Sequence, residues 1–354
     1  MKKIVLVGNM CGRKTNGPRA VMQKLSETMD EMGVETEKLF LEPGMSKIKY
    51  IIYIIISICF SRNKSVNVHT EGFLLPMLIF LISRVNRHNT YFLTVHGVYA
   101  IEAGIYGTDK SIYKYLERVL YKYFDNIICV SKMLKLNIIK VFHRKNRIVV
   151  IGNGTDAVKY SKDNAISKDG RNCLRFISVG GINVRKGINE LLELIDYLVN
   201  KNNIDVNVDI YGGIQNKDIE QAFYKYLEEH NLTDSIRYRG YISDKQELYQ
   251  LYTKYDFHLC LSRYDTFNVA IIESMVMGCP CICSNMCGAK DFISSDNGLV
   301  VSLEDDYKTN IHNFLKKTYI DTNIYRQMCV AAKNIDEYVN WQYITKQYMD
   351  LLER

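Results

Sequence analysis

Leu174-Arg-Phe-Ile-Ser-Val179-Gly180-Gly181-Ile-Asn-Val-Arg185-Lys186-Gly187 leads into a stretch ending at Asn200 in which Leu191, Leu194, Ile195 and Leu198 fall on one face. A short apolar run, a glycine pair and then a helical period read as strand, tight turn and helix, the opening of a parallel α/β unit. The same order stands at the N-terminus. Lys3 to Gly8 reads as a strand, a loop follows with Gly12, Gly17 and Pro18, and Val21, Leu25, Met29 and Met32 then recur at helical spacing up to Gly33. A pattern that opens the chain and restarts at Leu174 predicts two domains of one kind.

Further strands are predicted at Val66 to His69, Thr90 to His96, Asn126 to Val130 and Arg147 to Ile151 in the first half. In the second half they fall at Val206 to Tyr211, followed by Gly212-Gly213, and at Ile236 to Arg239, Phe257 to Leu261 and Pro280 to Ser284. Lys159 to Asn172 is polar without periodicity and reads as a linker. The expected organisation is a Rossmann-like domain at 1–158, a linker at 159–172, a second Rossmann-like domain at 173–330 and a closing helix within 331–354 carrying Trp341, Ile344, Tyr348 and Leu351. Strand C-termini of two such domains are expected to share a cleft.

The 354 residues are 47% hydrophobic and 24% charged, which excludes disorder, collagen and coiled coil as the main architecture. The longest apolar runs, Tyr50 to Phe60 and Phe73 to Ile82, are too short to span a bilayer, which takes about 20 residues. The N-terminus reads as a core strand and not a signal peptide, so a cytoplasmic protein is expected, with its ten cysteines as thiols. Cys279, Cys281, Cys283 and Cys287 invite a zinc reading, but their period-two spacing lines the first three along a strand, where core packing suits them better than paired C-x2-C turns would.

The net charge of +7 is unevenly placed: residues 1–155 carry 23 Lys and Arg against 11 carboxylates, or +12, and the remainder is −5. No helix-turn-helix, zinc finger or RNA-binding signature accompanies the basic half, so nucleic acid is not the expected partner. Reversible contact with an anionic membrane is expected instead, through Lys47, Lys49, Arg62, Lys64, Arg84 and Arg87 and without an inserted helix, peripheral on the inner face of the plasma membrane.

The chemistry concentrates in Ser262-Arg-Tyr-Asp265-Thr-Phe267-Asn268-Val269-Ala-Ile-Ile-Glu273-Ser-Met-Val-Met-Gly278-Cys-Pro280. A helix beginning near Thr266 would aim unpaired backbone N–H groups at whatever fills the cleft, as a phosphate site requires. Asp265 and Glu273 would bracket such a ligand, carboxylates being suited to sugar hydroxyls. Taken by themselves, an N-cap at Asp265 and a solvated Glu273 fit equally well.

This stretch resembles the E-x7-E signature of retaining glycosyltransferases of the GT-B fold, family 4, written here Asp265-x7-Glu273. The resemblance runs in order along nearly the whole chain. Gly17 is similar to the N-domain glycine loop, Thr94-Val-His96-Gly97 to the histidine motif, Val130-Ser131 to the valine-serine motif, and Asn153-Gly154-Thr-Asp156 to the interdomain hinge. Arg185-Lys186-Gly187 resembles the donor loop, Gly240-Tyr241 and Gly278-x-Pro280 continue the match, and Trp341 resembles the aromatic of the returning helix. Three positions depart from the family pattern: Gly181 stands where arginine is usual, Asp265 for glutamate and Asn268 for glycine.

The resemblance implies a metal-independent enzyme without cofactor that moves a sugar, with retention, from a nucleotide diphosphate sugar, expected to be a uridine one. The acceptor it implies is a cell-surface glycan or a lipid-linked chain. His96, Asp265 and Lys186 are the implied catalytic residues: His96 beside the transferred sugar, Lys186 on the donor phosphate. Gly17, Gly181, Arg185, Lys186, Gly212, Gly213, Asp265, Phe267, Asn268, Val269 and Glu273 are the implied donor-binding set. Because of the three departures, a nucleotide-sugar-binding protein that has lost turnover remains an alternative, as does an epimerase of the same fold. Glu304-Asp305-Asp306 is expected to be a solvated turn and not a metal site.

Overall fold

The computed structural model describes residues 2–10, 17–108, 110–144, 147–160, 173–319 and 321–354. The chain forms two compact units, Met1–Gly154 with Asn340–Arg354, and Thr155–Val339. Gly12 and most of the expected linker, residues 161–172, lie outside the described residues; Asp156–Tyr160 before it is a short 3-10 turn.

Unit 1 holds β1 (Lys3–Asn9), α1 (Gly17–Glu31), β2 (Thr36–Leu41), α2 (Lys47–Cys59), β3 (Lys64–His69), α3 (Leu74–Val85), β4 (Thr90–Val95), α4 (Tyr99–Tyr106), α5 (Ser111–Tyr123), β5 (Asn126–Cys129), α6 (Lys132–Phe142) and β6 (Ile148–Val150). Its strands form a parallel sheet in the order β2-β1-β3-β4-β5-β6. Strands covered on both faces read as continuous apolar runs, and β1 is buried from Ile4 to Val7 for that reason. On one face Ile4, Leu6, Phe92 and Ile128 pack with Val21, Leu25 and Met29 of α1.

Unit 2 holds β7 (Leu174–Val179), α7 (Ile188–Asp196), β8 (Val206–Tyr211), α8 (Lys217–Glu229), β9 (Ile236–Gly240), α9 (Lys245–Tyr252), β10 (Phe257–Cys260), α10 (Val269–Val276), β11 (Cys281–Ser284), β12 (Gly298–Val301), α11 (Tyr307–Tyr319), α12 (Thr322–Lys333) and α13 (Asp336–Val339). The sheet order is β12-β11-β10-β7-β8-β9, again all parallel. Its core includes a cluster in which Phe176, Phe257, Leu194 and Ile210 are fully buried.

The last helix, α14 (Trp341–Leu352), belongs to unit 1, where Trp341, Ile344, Tyr348 and Leu352 join the cluster with α1. The Trp341 indole lies so close to Gly154 that a Cβ there would stand 2.7 Å from the ring. The single expected closing segment 331–354 is therefore three elements, the end of α12, then α13 and α14, of which α14 alone groups with the first unit. Two strands were not expected, β2 and β12, both at sheet edges.

Candidate functional site

In an open parallel sheet, ligands bind outside the strand C-termini at the point where the strand order reverses. In unit 2 that point lies between β7 and β10, since the chain runs from β7 towards β9 and then returns to β10 on the other side. The loops leaving these two strands carry Gly180 to Gly187 and Leu261 to Asn268. Lys186 Nζ donates to Asp265 Oδ2 at 2.5 Å, joining the loops by a charged pair that is largely buried. Burial works against the Lys186 charge, and the Asp265 carboxylate more than offsets it, so the ammonium is held above the ordinary lysine value.

Asp265 is fixed through its backbone. Its N–H donates to the Met286 carbonyl and its own carbonyl accepts from Gly288 N–H, while Ala289 N–H reaches the Phe267 carbonyl. This short parallel bridge to the segment after β11 holds the loop from both ends. α10 begins at Val269 and not near Thr266, so Asp265 is not its N-cap; Asn268 is. Asn268 has φ 64°, the left-handed conformation that asparagine tolerates better than most residues, and it thus keeps the backbone a glycine would give. Its amide donates to Cys260 Sγ at 2.8 Å, and Phe267 beside it is buried, its ring edge-on to Phe292.

α10 is buried from Ala270 to Val276, which is why this helix is apolar on all sides. Glu273 is the exception. It is 3% exposed and therefore not a solvated side chain; Lys245, at the start of α9, donates to its Oε1 at 2.7 Å, and its Oε2 is buried without a hydrogen-bond partner. A buried acceptor left open costs free energy that a hydroxyl donor would recover. First-turn N–H groups of α10, the Lys186 ammonium and the Glu273 carboxylate together suit a diphosphate and a polyol.

Gly181 explains one departure from the family pattern. At φ 73° a Cβ would stand 1.9 Å from the Gly213 carbonyl oxygen, and at Gly212 one would stand 2.5 Å from Gly181 N. The turns after β7 and β8 touch backbone to backbone, sealed by Ile182 N–H to the Gly213 carbonyl, so no side chain fits at Gly181. Gly187 is fixed likewise, its would-be Cβ lying 1.8 Å from the Leu261 carbonyl oxygen, which presses the Lys186 turn onto the end of β10. Arg185, expected on the donor, directs Nη1 to the Tyr264 carbonyl at 3.0 Å.

Gly17 and His96 lie in unit 1. Gly17 is the first residue of α1 and exposed. His96 follows β4, its Nε2 3.1 Å from Nδ1 of His69 at the end of β3; Asn67 Nδ2 approaches His69 Nε2 at 3.4 Å, and Asn67 Oδ1 accepts from Thr94 at 2.9 Å. Burial holds His96 down to about 3 and, aided by the neighbouring His96, holds His69 well below the usual histidine range. Both rings are neutral at physiological pH. His69 was not among the expected site residues, although two histidines ending adjacent parallel strands are a readable signal. Lys245 gave no such signal.

The cysteines are thiols throughout the described residues. Cys281 and Cys283 lie in β11, Cys279 precedes it, and Cys287 Sγ is 3.5 Å from Cys260 Sγ; burial pushes Cys281 up to about 11. Among the described residues no group of three or more His, Cys, Asp or Glu is arranged to hold a metal ion. Asp306 of the exposed acidic cluster accepts from Thr309 N–H at the start of α11.

Two features define the class: two all-parallel α/β units, and a lysine–carboxylate pair at the switch point of the second. The model of the glycosyl transferases group 1 family matches residues 161–334, and that of glycosyltransferase family 4 matches residues 61–159. The chain belongs to this family. The UDP-Gal:alpha-D-GlcNAc-diphosphoundecaprenol alpha-1,3-galactosyltransferase of Escherichia coli is 27% identical over 223 residues, 60% of this chain and 56% of that protein. The GDP-mannose:cellobiosyl-diphosphopolyprenol alpha-mannosyltransferase of Xanthomonas campestris is 31% identical over 134 residues, 38% and 33% of the two chains. The chain thus spans about half, or less, of the length of these curated relatives. Among solved structures, sucrose-phosphate synthase from Thermosynechococcus elongatus superposes with a TM-score of 0.74 at 16% identity, covering 99% of this chain and 98% of that one. Anabaena HepE in complex with UDP gives 0.72 at 14% identity, with 99% of each chain covered. These likenesses establish the GT-B fold.

Proposed function

We propose that the protein is a retaining, metal-independent glycosyltransferase that moves a sugar from a nucleotide diphosphate sugar, a uridine one, to a lipid-linked glycan acceptor. The observation that carries this reading is the joining of Lys186 to Asp265 at the β7/β10 switch point, next to the N-terminus of α10 and the open acceptor of Glu273. As the glycosidic bond breaks, the diphosphate gains negative charge, and a preorganised ammonium with a helix N-terminus stabilises it without a metal ion. Glu273 Oε2 accepts a ribose hydroxyl, and Asp265 turns from Lys186 towards the donor sugar. His96, neutral, donates or accepts at a sugar hydroxyl and does not act as a nucleophile. The names of both relatives pair a nucleotide diphosphate sugar with a polyprenyl diphosphate acceptor, which supports the same pairing here.

The test is incubation with UDP-, GDP- and ADP-sugars and a polyprenyl-diphosphate-linked saccharide, in excess EDTA, with mass spectrometry of the lipid and NMR of the new anomeric centre. Transfer with retention from a UDP-sugar is expected. Tight nucleotide binding without transfer would mean a binding protein instead, and loss of transfer in EDTA restored by manganese would mean a metal site.

A further inference from the structure

α2 carries two stripes of the same spacing. Tyr50, Ile54 and Ile58 are buried against unit 1; Ile48, Ile52, Ile56 and Phe60, two residues out of phase, face outward, Phe60 being 84% exposed. A surface helix ordinarily turns polar residues outward. Between Lys49 and Arg62 there is no charged residue at all. α3 repeats the arrangement, with Pro76, Ile79 and Ile82 buried, Leu74 and Val85 86% and 82% exposed, and no charge between Glu71 and Arg84. The two helices pack side by side, and their C-terminal ends are tied by Asn86, whose amide lies 2.8 to 3.1 Å from the carbonyls of Ile58, Cys59 and Ser61. Their outer faces therefore make one apolar patch of a kind that marks an interaction site.

We propose that this patch seats unit 1 in an anionic lipid bilayer, α2 and α3 lying in the plane of the interface with their outer apolar faces among the acyl chains. Charge selects the occupant. From Lys47 to Arg87 the chain has six Lys or Arg and one carboxylate, Glu71, which Arg19 takes up; Lys64 pairs with Glu37, and Arg84 and Arg87 with Asp125, so Lys47, Lys49 and Arg62 carry the charge argument. Lys47, Lys49 and Arg62 at the rim are exposed. A second copy docked by a twofold axis would bring the same cations face to face. An anionic headgroup layer meets them with the opposite sign. α2, 13 residues long, extends about 20 Å, short of the roughly 30 Å hydrocarbon core, and its other face is held by the protein, so it lies on the membrane and does not cross it. Among the described residues no helix is long and apolar enough to cross. The proposal rests on the lipid-linked acceptor proposed above, which resides in such a bilayer. It departs from the electrostatic docking expected from sequence, because the greater part of the contact is apolar.

The full chain is sedimented with vesicles of phosphatidylglycerol and phosphatidylcholine, or of phosphatidylcholine alone, at about 50 and 500 mM NaCl, concentrations that bracket strong and weak screening. Wild type should bind the anionic vesicles, and high salt should weaken binding by less than about tenfold, since the apolar contribution is not screened. Ile52→Glu with Ile56→Glu should lower partitioning at least about tenfold at either salt, and Phe60→Gln, at the exposed helix end, by several-fold. Lys47→Gln with Lys49→Gln should weaken binding at low salt alone. The thermal shift given by UDP, read on each variant, reports the fold and the donor reading separately. Wild type left in the supernatant at low salt, or Ile52→Glu with Ile56→Glu partitioning like wild type while retaining its UDP shift, overturns the proposal. A wild-type dimer in sedimentation velocity that these substitutions dissociate, without vesicle binding, assigns the patch to a second copy and overturns it as well.

Discussion

Lys186 and Asp265, 79 positions apart in sequence, are 2.5 Å apart in the fold, and both stand in the set that the family resemblance assigns to the donor. In this arrangement each neutralises the other. On the proposed function, a donor phosphate would compete for the lysine, and a sugar hydroxyl would draw the carboxylate away. Removing one charge contact to a developing anion costs about 2.7 to 4 kcal/mol, so Lys186→Ala should lower kcat/KM by about 100- to 1,000-fold. Asp265→Asn should cost less. Steady-state kinetics on both single variants and the double variant should give a coupling of at least about 0.5 kcal/mol, as contacting residues do.

The two other departures in the donor loops behave oppositely under substitution. A non-glycine residue in the left-handed region costs about 1 to 2 kcal/mol, and at Gly181 the collision with the Gly213 carbonyl adds to that. Gly181→Arg, which writes the family arginine back, should therefore destabilise the protein and not restore a phosphate contact. Asn268→Gly should leave stability within about 1 kcal/mol, and Asn268→Val should lose about 1 to 2 kcal/mol, because only the former accepts φ 64°. Urea denaturation of the three variants checks all of this.

Both sheets were legible because their inner strands carry buried apolar runs, as in Ile4 to Val7 of β1 and Cys281 to Cys283 of β11. β2 was not, since Glu37 and Lys38 interrupt it at an edge, and β12 was not, since four residues beginning with a glycine are too few to show a period. Asp265 and Glu273 drew attention as carboxylates around the helix that follows a strand end, and the family resemblance singled them out together with Lys186. Their partners were not: nothing local ties Lys245 to Glu273, 28 positions away, or Lys186 to Asp265, because such pairs depend on how β7, β10 and their loops pack. The sequence starts α10 near Thr266, three residues early, because an asparagine at its N-cap does not announce a left-handed backbone.

His96 is held neutral by burial, at about 3, so its charge state does not change between pH 5 and 8. The kcat profile of the wild type should consequently carry no acidic limb near 6.5 that belongs to this residue. His96→Gln should lower kcat and kcat/KM together, as loss of an interaction made in the transition state does, with the shape of the profile retained. A limb near 6.5 that vanishes in His96→Gln would show that the imidazolium takes part.

Stability should fall in mild acid. His96 and His258 are each pushed down to about 3 and His69 well below its usual range, burial being the first cause in all three, whereas the unfolded side chains titrate near 6.5. The unfolded chain therefore binds more protons between about 3 and 6.5. The stabilising contribution is complete above 6.5 and is lost as pH falls, at up to about 1.4 kcal/mol per pH unit for each group. Glu117, which burial pushes up to about 7, opposes this from 4.5 to 7, leaving a net of one proton from His96, His258 and Glu117 in the overlap, with His69 acting in the same direction as the other histidines. Urea midpoints measured from pH 7.5 to 5 should decline, and His258→Asn should reduce the decline.

Glu273 and Lys245 give the last prediction. The carboxylate is 3% exposed with one oxygen unpartnered, while the lysine side chain is 61% exposed, so the pair is buried on one side only. Removing one partner of a fully buried pair costs about 3 to 5 kcal/mol, and an exposed pair is worth about 0 to 1. Lys245→Ala should accordingly destabilise the protein by about 1 to 3 kcal/mol, Lys245→Arg by less, and Glu273→Gln introduced into Lys245→Ala should recover part of the loss, since the uncompensated charge is then gone. If Glu273 Oε2 accepts a ribose hydroxyl, wild type should bind UDP several-fold more tightly than its 2′,3′-dideoxy counterpart. Glu273→Gln, which exchanges an ionic acceptor for a neutral amide, should narrow that difference. Isothermal titration with the two nucleotides decides the point: equal affinities in the wild type would remove Glu273 from the ribose and leave Lys245 as its structural counterion alone.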